Sequence, residues 1–191
     1  IILARDHGGP WQNEYEKSQQ LNLIDAMKSA KDSYRSDIDA GFHILHIDPS
    51  VDIDSSPTID QILERVYELY DFCWSYAQQK KRDIIFEIGT EEQSGSNNTI
   101  DELEYTLESM RKFCKNNKIP YPLFIVVQVG TRVMEMRNVG SFDSPIRVIN
   151  EMPPEIQIPQ MIEICNQYGI FMKEHNTDYL STDSLRWQPR L

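Results

Sequence analysis

Short apolar runs recur along this chain at nearly constant intervals, and this repetition limits the possible folds more than any other feature. The runs are rich in Ile, Val, Leu and Phe and are too short for helices, so each predicts a buried strand. Equivalent positions lie 41, 41, 40 and 47 residues apart, at Ile2, His43, Ile84, Phe124 and Phe171. The predicted strands are residues 1–4, 42–47, 83–88, 123–129 and 170–173.

Amphipathic stretches with apolar residues at helical spacing separate these strands. They cover residues 18–40, 58–79, 99–116 and 154–168. Two of them open with a capping box, Thr58 with Gln61 and Thr99 with Glu102, and Pro154 suits the first turn of a helix. Strands that alternate with helices predict right-handed crossovers and a parallel sheet.

The regularity of the repeat favours an α/β fold of the TIM (βα)8-barrel type over a doubly wound sheet. A doubly wound nucleotide-binding sheet would carry a GxGxxG or GxxxxGK[ST] fingerprint, and the sequence contains neither. We therefore predict a single, incomplete βα-barrel domain over residues 1–191, with five of the eight βα units. Because the chain begins without Met inside an apolar run, we expect it to be a segment of a larger protein.

Charge and cysteine usage exclude several classes of protein. Thirty acidic and nineteen basic residues give a net charge of −11, which argues against a nucleic-acid or anionic-membrane surface. No apolar run approaches the roughly 18 residues of a membrane span. Three isolated cysteines without a CxxC pair fit a reducing cytoplasm better than a disulfide framework.

A polar cluster follows every predicted strand. In a barrel the carboxyl ends of the strands meet at one rim, and barrel enzymes place their chemistry there. Strand parity puts His46 and Asp48 on one face and His43 on the other, so we predict that His43 packs beneath a helix. The clusters are residues 6–10, 46–49, 87–92, 128–132 and 173–179.

Histidines occupy three of these clusters, at His7, His46 and His175. Two roles stay open for them, because neutral imidazole binds divalent metals together with carboxylates and also hydrogen-bonds substrate hydroxyls. Lys173 either forms an ion pair at the rim or, if burial lowers its pKa, a Schiff base. Arg132 and Arg137 either bind phosphate or solvate a long loop.

Five sequence segments together resemble the tagatose-bisphosphate aldolase subunit family, the so-called non-catalytic subunit type of the class II enzyme. They contain the motifs DHxGP, HxD, IGTE, VVQxG and HxTDY, in residues 2–12, 46–50, 88–91, 126–130 and 174–179. The resemblance implies a TIM barrel of which this chain holds strands two to six. It also implies a cytoplasmic, oligomeric protein that handles a phosphorylated sugar, alone or beside a catalytic aldolase subunit.

The same resemblance implies roles for individual residues. Class II aldolases use a divalent metal, most often zinc, to stabilise an enolate. In this family pattern Asp6, Glu87 and Glu91 are expected to be catalytic, and His7 and His175 to bind the metal. The third ligand stays open among His46, Glu87 and Glu174. Substrate binding is expected of His46, Asp48, Gln128, Asn176 and Asp178.

One departure from the family pattern favours a different function. Catalytic members carry a histidine shortly after a Gly-Thr pair, whereas Gly130-Thr131 is followed here by Arg132 and Val133. The alternatives are therefore a metal-assisted aldolase, a catalytically silent barrel that stabilises an aldolase partner, and a Schiff-base aldolase that uses Lys173.

Overall fold

The computed structural model describes residues 1–90, 99–142 and 151–190. Its strands are β1 (Ala4–Arg5), β2 (Ile44–Ile47), β3 (Ile85–Ile88), β4 (Phe124–Val127), β5 (Val133–Met134), β6 (Arg137–Asn138) and β7 (Phe171–Glu174). Its helices are α1 (Glu14–Ser18), α2 (Leu23–Ala40), α3 (Ile59–Lys80), α4 (Ile100–Asn117), α5 (Pro154–Tyr168) and α6 (Thr182–Trp187). Short 3-10 turns cover Thr177–Tyr179 and Gln188–Arg190.

One sheet contains β1, β2, β3, β4 and β7, in this order along the sheet and along the chain. The pairs β1–β2, β2–β3 and β4–β7 are parallel, and a helix precedes each strand after β1. The predicted α/β fold is confirmed, and the arrangement is that of part of a TIM-type barrel. The strands β5 and β6 form a separate antiparallel hairpin.

The chain divides into two compact units. The first comprises residues 1–90 and 108–123, and the second comprises residues 91–107 and 124–191. Among the described residues, no helix combines the length and the apolar character that crossing a membrane requires.

The core of the first unit lies between its strands and the helices α2 and α3. Apolar residues on the inner faces of α2 and α3 are removed from water, which is the main favourable term in folding. At the start of α3 the predicted capping box of Thr58 and Gln61 is present. The fully buried members are Ala26, Tyr34, Ile38, Leu45, Ile47, Val66, Leu69, Tyr70, Cys73 and Ala77.

Two local predictions for the first unit are wrong. The helix predicted over residues 18–40 is interrupted, because the Asn22 side chain accepts the Asp25 N–H at 3.0 Å and starts a new helix there. His43 is exposed and accepts the Leu3 N–H, instead of packing beneath a helix. The reason is that β2 begins only at Ile44, so His43 precedes the buried part of the strand.

The first predicted strand also differs from the structure. Its hydrogen-bonded part is Ala4–Arg5, and Ile1 and Ile2 are exposed. The contact with β2 starts at the Leu3 carbonyl, which accepts the His43 N–H at 2.8 Å. Because the ladder begins there, the two preceding isoleucines lie outside it.

In the second unit β4 and β7 pair with Phe124 opposite Phe171 and Val127 opposite Glu174. Helix α5 begins at Pro154, as its sequence predicts, and ends at Tyr168. The cap residue Gly169 follows with a left-handed φ of 68°. The capping box of Thr99 and Glu102 opens α4. These elements bury Val126, Val127, Ile158, Met161, Cys165 and Ile170.

Candidate metal and acid–base site

The first unit places five predicted site residues at the carboxyl ends of three neighbouring strands. We call them the strand-end cluster: Asp6, His7, His46, Asp48 and Glu87. Asp6 and His7 follow β1, His46 lies in β2 with Asp48 directly after it, and Glu87 lies in β3 opposite His46. Parallel strands bring these positions to one edge, so residues up to 81 positions apart in sequence share a site.

The two glycines after His7 are required by close packing. A Cβ on Gly8 would lie 2.1 Å from the Tyr34 hydroxyl oxygen, and one on Gly9 would lie 2.3 Å from the Asp48 carbonyl oxygen. The Asp48 N–H donates to the Gly8 carbonyl at 2.7 Å. The loop after β1 therefore folds directly onto the end of β2, which brings His7 beside Asp48.

Asp48 is a buried carboxylate with four hydrogen-bond donors around it. Its Oδ1 accepts the Ser50 hydroxyl at 2.6 Å and the Ser50 N–H at 3.2 Å. Its Oδ2 lies 2.7 Å from His7 Nδ1 and accepts the Gln12 side-chain amide at 3.2 Å. Burial acts to raise the pKa of Asp48, but the hydrogen bonds from His7 and Ser50 and the nearby His46 lower it overall, so Asp48 is ionised at neutral pH.

The His7–Asp48 contact determines how the imidazole is used. With Nδ1 against the carboxylate, Nε2 is the ring nitrogen on the opposite side, and it lies 3.6 Å from Asp6 Oδ1. A carboxylate that contacts an imidazole in this way fixes its ring orientation and its tautomer. His7 also has a φ of 120°, a strained value for a residue with a side chain, and such strain clusters at functional sites.

His46 is fully buried between two carboxylates. Its Nδ1 lies 3.2 Å from Glu87 Oε1 and 3.4 Å from Asp6 Oδ1, and its ring centroid is 4.6 Å from that of His7. Tyr34 donates its hydroxyl to the His46 carbonyl at 2.7 Å. Two groups of three donors in this unit approach closely enough for one metal ion: Asp6, His46 and Glu87, and His7, His46 and Asp48.

Several supporting residues of the cluster were not predicted from the sequence. Gln12 donates to both the carbonyl and the carboxylate of Asp48, and Ser50 saturates the other carboxylate oxygen. Buried Trp11 holds the loop, since its backbone N–H donates to Glu16 and its indole to the Leu21 carbonyl. The Asp-Pro-Ser sequence at 48–50 is the one signal for Ser50, because an aspartate side chain readily accepts from the backbone N–H two residues further on.

The second unit holds the remaining predicted substrate residues. Gln128 is fully buried, and its Oε1 accepts the Asn176 side-chain amide at 2.9 Å. Asn176 has a left-handed φ of 60°, which asparagine tolerates. His175 is buried, whereas Asp178 is exposed on the 3-10 turn. The metal role of His175 and the substrate roles of Gln128, Asn176 and Asp178 stay predictions.

Glu174 has a distinct environment in this unit. Its Oε1 accepts the Val129 N–H at 2.9 Å and the Thr131 hydroxyl at 3.0 Å. Its Oε2 is buried and has no hydrogen-bond partner within the described parts of the chain. Burial outweighs the two hydrogen bonds and raises the pKa of Glu174 to about 8. The neighbouring Lys173 is half-buried, and its Schiff-base role stays a prediction.

Three further predicted residues lie elsewhere. Arg132 is 3.8 Å from the Glu151 carboxylate, and Arg137 is exposed on β6. A phosphate role for either arginine stays a prediction. Glu91, expected to be catalytic, lies outside the described residues.

Fold and site together define a class of protein: an α/β chain of the TIM-barrel type with carboxylates and imidazoles gathered at the ends of its parallel strands. Comparison with protein families identifies the group. The model of the D-tagatose-1,6-bisphosphate aldolase subunit GatZ/KbaZ-like family matches residues 1–187, and the chain belongs to this family. The predicted family resemblance is confirmed.

Solved structures add information on the fold. A crystal structure of a probable tagatose 6 phosphate kinase from Sinorhizobium meliloti 1021 matches 97% of this chain with a TM-score of 0.68 and 20% identity. The matched part is 44% of that protein's chain, so the present chain spans less than half of its length. A GH5_18 protein from Streptomyces cattleya in complex with GlcNAc matches 91% of this chain and 45% of its own, with 14% identity and a TM-score of 0.45.

Proposed function

We propose that this chain forms part of the active site of an aldolase-like barrel that cleaves or forms a carbon–carbon bond in a ketose phosphate or bisphosphate, with a divalent metal as cofactor. The observation that carries the proposal is the strand-end cluster, where a carboxylate-held imidazole lies beside a second imidazole and two more carboxylates. Membership of an aldolase subunit family supports the sugar-phosphate substrate class.

Aldol cleavage requires a group that moves a proton at the substrate hydroxyl and a positive charge that stabilises the enolate. Asp6 is suited to the proton transfer, because its carboxylate is the most exposed of the cluster and lies beside both imidazoles. His7, held by Asp48, is suited to hydrogen-bond the substrate oxygen through Nε2. Glu87 and His46 are buried at the base of the cluster.

The donor set of the cluster fits a divalent metal. Imidazole nitrogen and carboxylate oxygen are ligands of catalytic metals, and the three atoms in each of two groups lie within 4.8 Å of one another. Bound there, a divalent cation supplies Lewis-acid stabilisation of an enolate oxygen. We also propose that Gln128, Asn176 and Asp178 bind sugar hydroxyls, the first two as a buried amide pair and Asp178 as an exposed carboxylate.

A supporting subunit is the second candidate function. The residue after Gly130-Thr131 is Arg132, which forms an ion pair with Glu151, whereas catalytic members of the resembled group carry a histidine shortly after this pair. In that case the chain would stabilise a catalytic aldolase subunit in a cytoplasmic oligomer. The Schiff-base alternative requires Lys173 to be trapped by borohydride with the substrate, and absence of an adduct would remove it.

The test is turnover of ketose bisphosphates by the protein, alone and with a catalytic aldolase subunit. We expect cleavage by the protein alone, loss of activity with EDTA, and a fall of about 100-fold or more in kcat for Asp6→Asn. Asp39→Asn is the matched control, because Asp39 is an exposed carboxylate that pairs with Lys80. Activity only in the presence of the catalytic subunit, unaffected by Asp6→Asn, would favour the supporting function.

A further inference from the structure

We infer that His46, Glu87 and the Oδ1 atom of Asp6 hold the divalent cation, while the Oδ2 atom of Asp6 makes the proposed proton transfer. His7 and Asp48 then form a hydrogen-bonded pair beside the cation and are not ligands to it. This inference rests on the proposed function for its metal requirement, and it names the ligands. It differs from the family expectation, in which His7 and His175 bind the metal.

The first reason is the position of His46. Its Nδ1 lies between the two carboxylates, 3.2 Å from Glu87 Oε1 and 3.4 Å from Asp6 Oδ1. His46 and Glu87 are opposite each other on adjacent parallel strands, so the sheet itself holds them together. Asp6 approaches from the end of β1 and is about two-thirds exposed, which leaves the solvent side of the group accessible.

The second reason is that Asp48 has no acceptor position left for a metal. An ionised carboxylate offers about four lone-pair sites. Ser50 occupies two with its hydroxyl and N–H, Gln12 occupies one, and His7 Nδ1 occupies the fourth. A cation at Asp48 would have to displace one of these donors. The alternative group of His7, His46 and Asp48 is therefore disfavoured.

The third reason is that the His46 ring is held rigidly. The ring fits only because residue 89 is glycine, since a Cβ there would lie 2.6 Å from His46 Nε2. The Tyr34 hydroxyl donates a hydrogen bond to the His46 carbonyl. Preorganised ligands supported in this way are typical of metal centres, because less ordering is needed when the cation binds.

One nitrogen and two oxygen donors are a ligand set for a first-row divalent cation, with water or substrate completing the coordination. Cobalt(II) is a suitable probe for such a site because its visible absorption reports on its ligands. Titrations with manganese(II) and zinc(II) then show which of these two natural cations binds more tightly. Each measurement reads out cation binding and requires no turnover.

The experiment titrates cobalt(II) into the full chain and follows visible absorption, calorimetric binding and the thermal midpoint. We expect one cobalt per chain, a loss of at least tenfold in affinity for Glu87→Gln and His46→Asn, and retention of the one-to-one spectrum in His7→Asn. His43→Ala is the matched control, because it removes an exposed imidazole two residues before the buried face of β2. Circular dichroism checks that each variant is folded. If His46→Asn does not fold, Glu87→Gln still tests the inference, because glutamine has nearly the same shape as glutamate.

Two results would overturn the inference. One is a folded wild-type chain that binds no divalent cation, and the other is loss of binding in His7→Asn with wild-type affinity in Glu87→Gln. Failure of this inference and failure of the proposed function give different results. Cobalt binding at these residues without aldol turnover would support the metal site and contradict the aldolase activity. Turnover insensitive to EDTA would support aldol cleavage and contradict the metal requirement on which the inference rests.

Discussion

Replacing Asp48 with asparagine tests whether the strand-end cluster is organised around this one carboxylate. Asparagine keeps the shape and one acceptor oxygen, which can still accept from Ser50. Its NH2 group then faces His7 Nδ1, 2.7 Å from the present oxygen, and the Gln12 amide at 3.2 Å. Hydrogen bonds to a charged group contribute about 1.5–3 kcal/mol each, so losing both should lower the free energy of unfolding by about 3 kcal/mol, and by about half of that if the His7 ring switches tautomer and accepts from the NH2 group.

The assay is urea unfolding at pH 7, followed by far-UV circular dichroism. Rotating the new side-chain amide by 180° does not restore the lost stability, because its NH2 group would then face the two Ser50 donors. Asp39→Asn is the control, since that carboxylate is exposed and should change stability far less. A loss below about 1 kcal/mol in Asp48→Asn would refute the four-donor arrangement, because each lost charged hydrogen bond alone should exceed it.

Three further predictions follow from the packing and the burial of single groups. Gly8→Ala should lower the Tm, by about 2–4 °C for each kcal/mol of stability lost, because its Cβ would lie 2.1 Å from the Tyr34 hydroxyl oxygen and 2.5 Å from Cζ of that ring; an unchanged Tm would contradict the clash. Leu69→Ala should lower the free energy of unfolding in urea by about 2–5 kcal/mol, whereas exposed Leu185→Ala should not. The folded chain keeps a proton on Glu174 up to pH about 8, whereas the unfolded chain loses it near 4.5, so wild-type stability should fall as pH rises between these values. Glu174→Gln should remove this fall in the free energy of unfolding between about pH 5 and 8, measured by urea unfolding at each pH. The same fall in the variant would show that Glu174 does not cause it.

Much of the fold could be predicted because its signals are local. Helices α3, α4 and α5 begin and end within one residue of the predicted bounds, since capping residues and prolines act on the nearest turn. The prediction failed where one residue competes with a periodic pattern. Asn22 starts a new helix inside an apolar stretch, and the hydrogen-bond ladder of β1 begins later than its apolar run.

The sequence by itself determined the order of strands and helices and the placement of polar residues after each strand. These follow from hydrophobic periodicity and from the turn chemistry of glycine, proline and asparagine, which act over a few residues. They were enough to predict that Asp6, His7, His46, Asp48 and Glu87 lie at one edge of the sheet, whereas the family was indicated by the resemblance of five sequence motifs.

Only the tertiary structure decided which of these side chains contact one another. The sequence shows three equivalent histidines, whereas the fold buries His46 between two carboxylates and pairs His7 with a carboxylate that is already saturated. Distances of 2.7 and 3.2 Å between residues about 40 positions apart depend on strand register and on two glycines that admit close packing. Such contacts are set by the packing of distant segments, and therefore no local pattern encodes them.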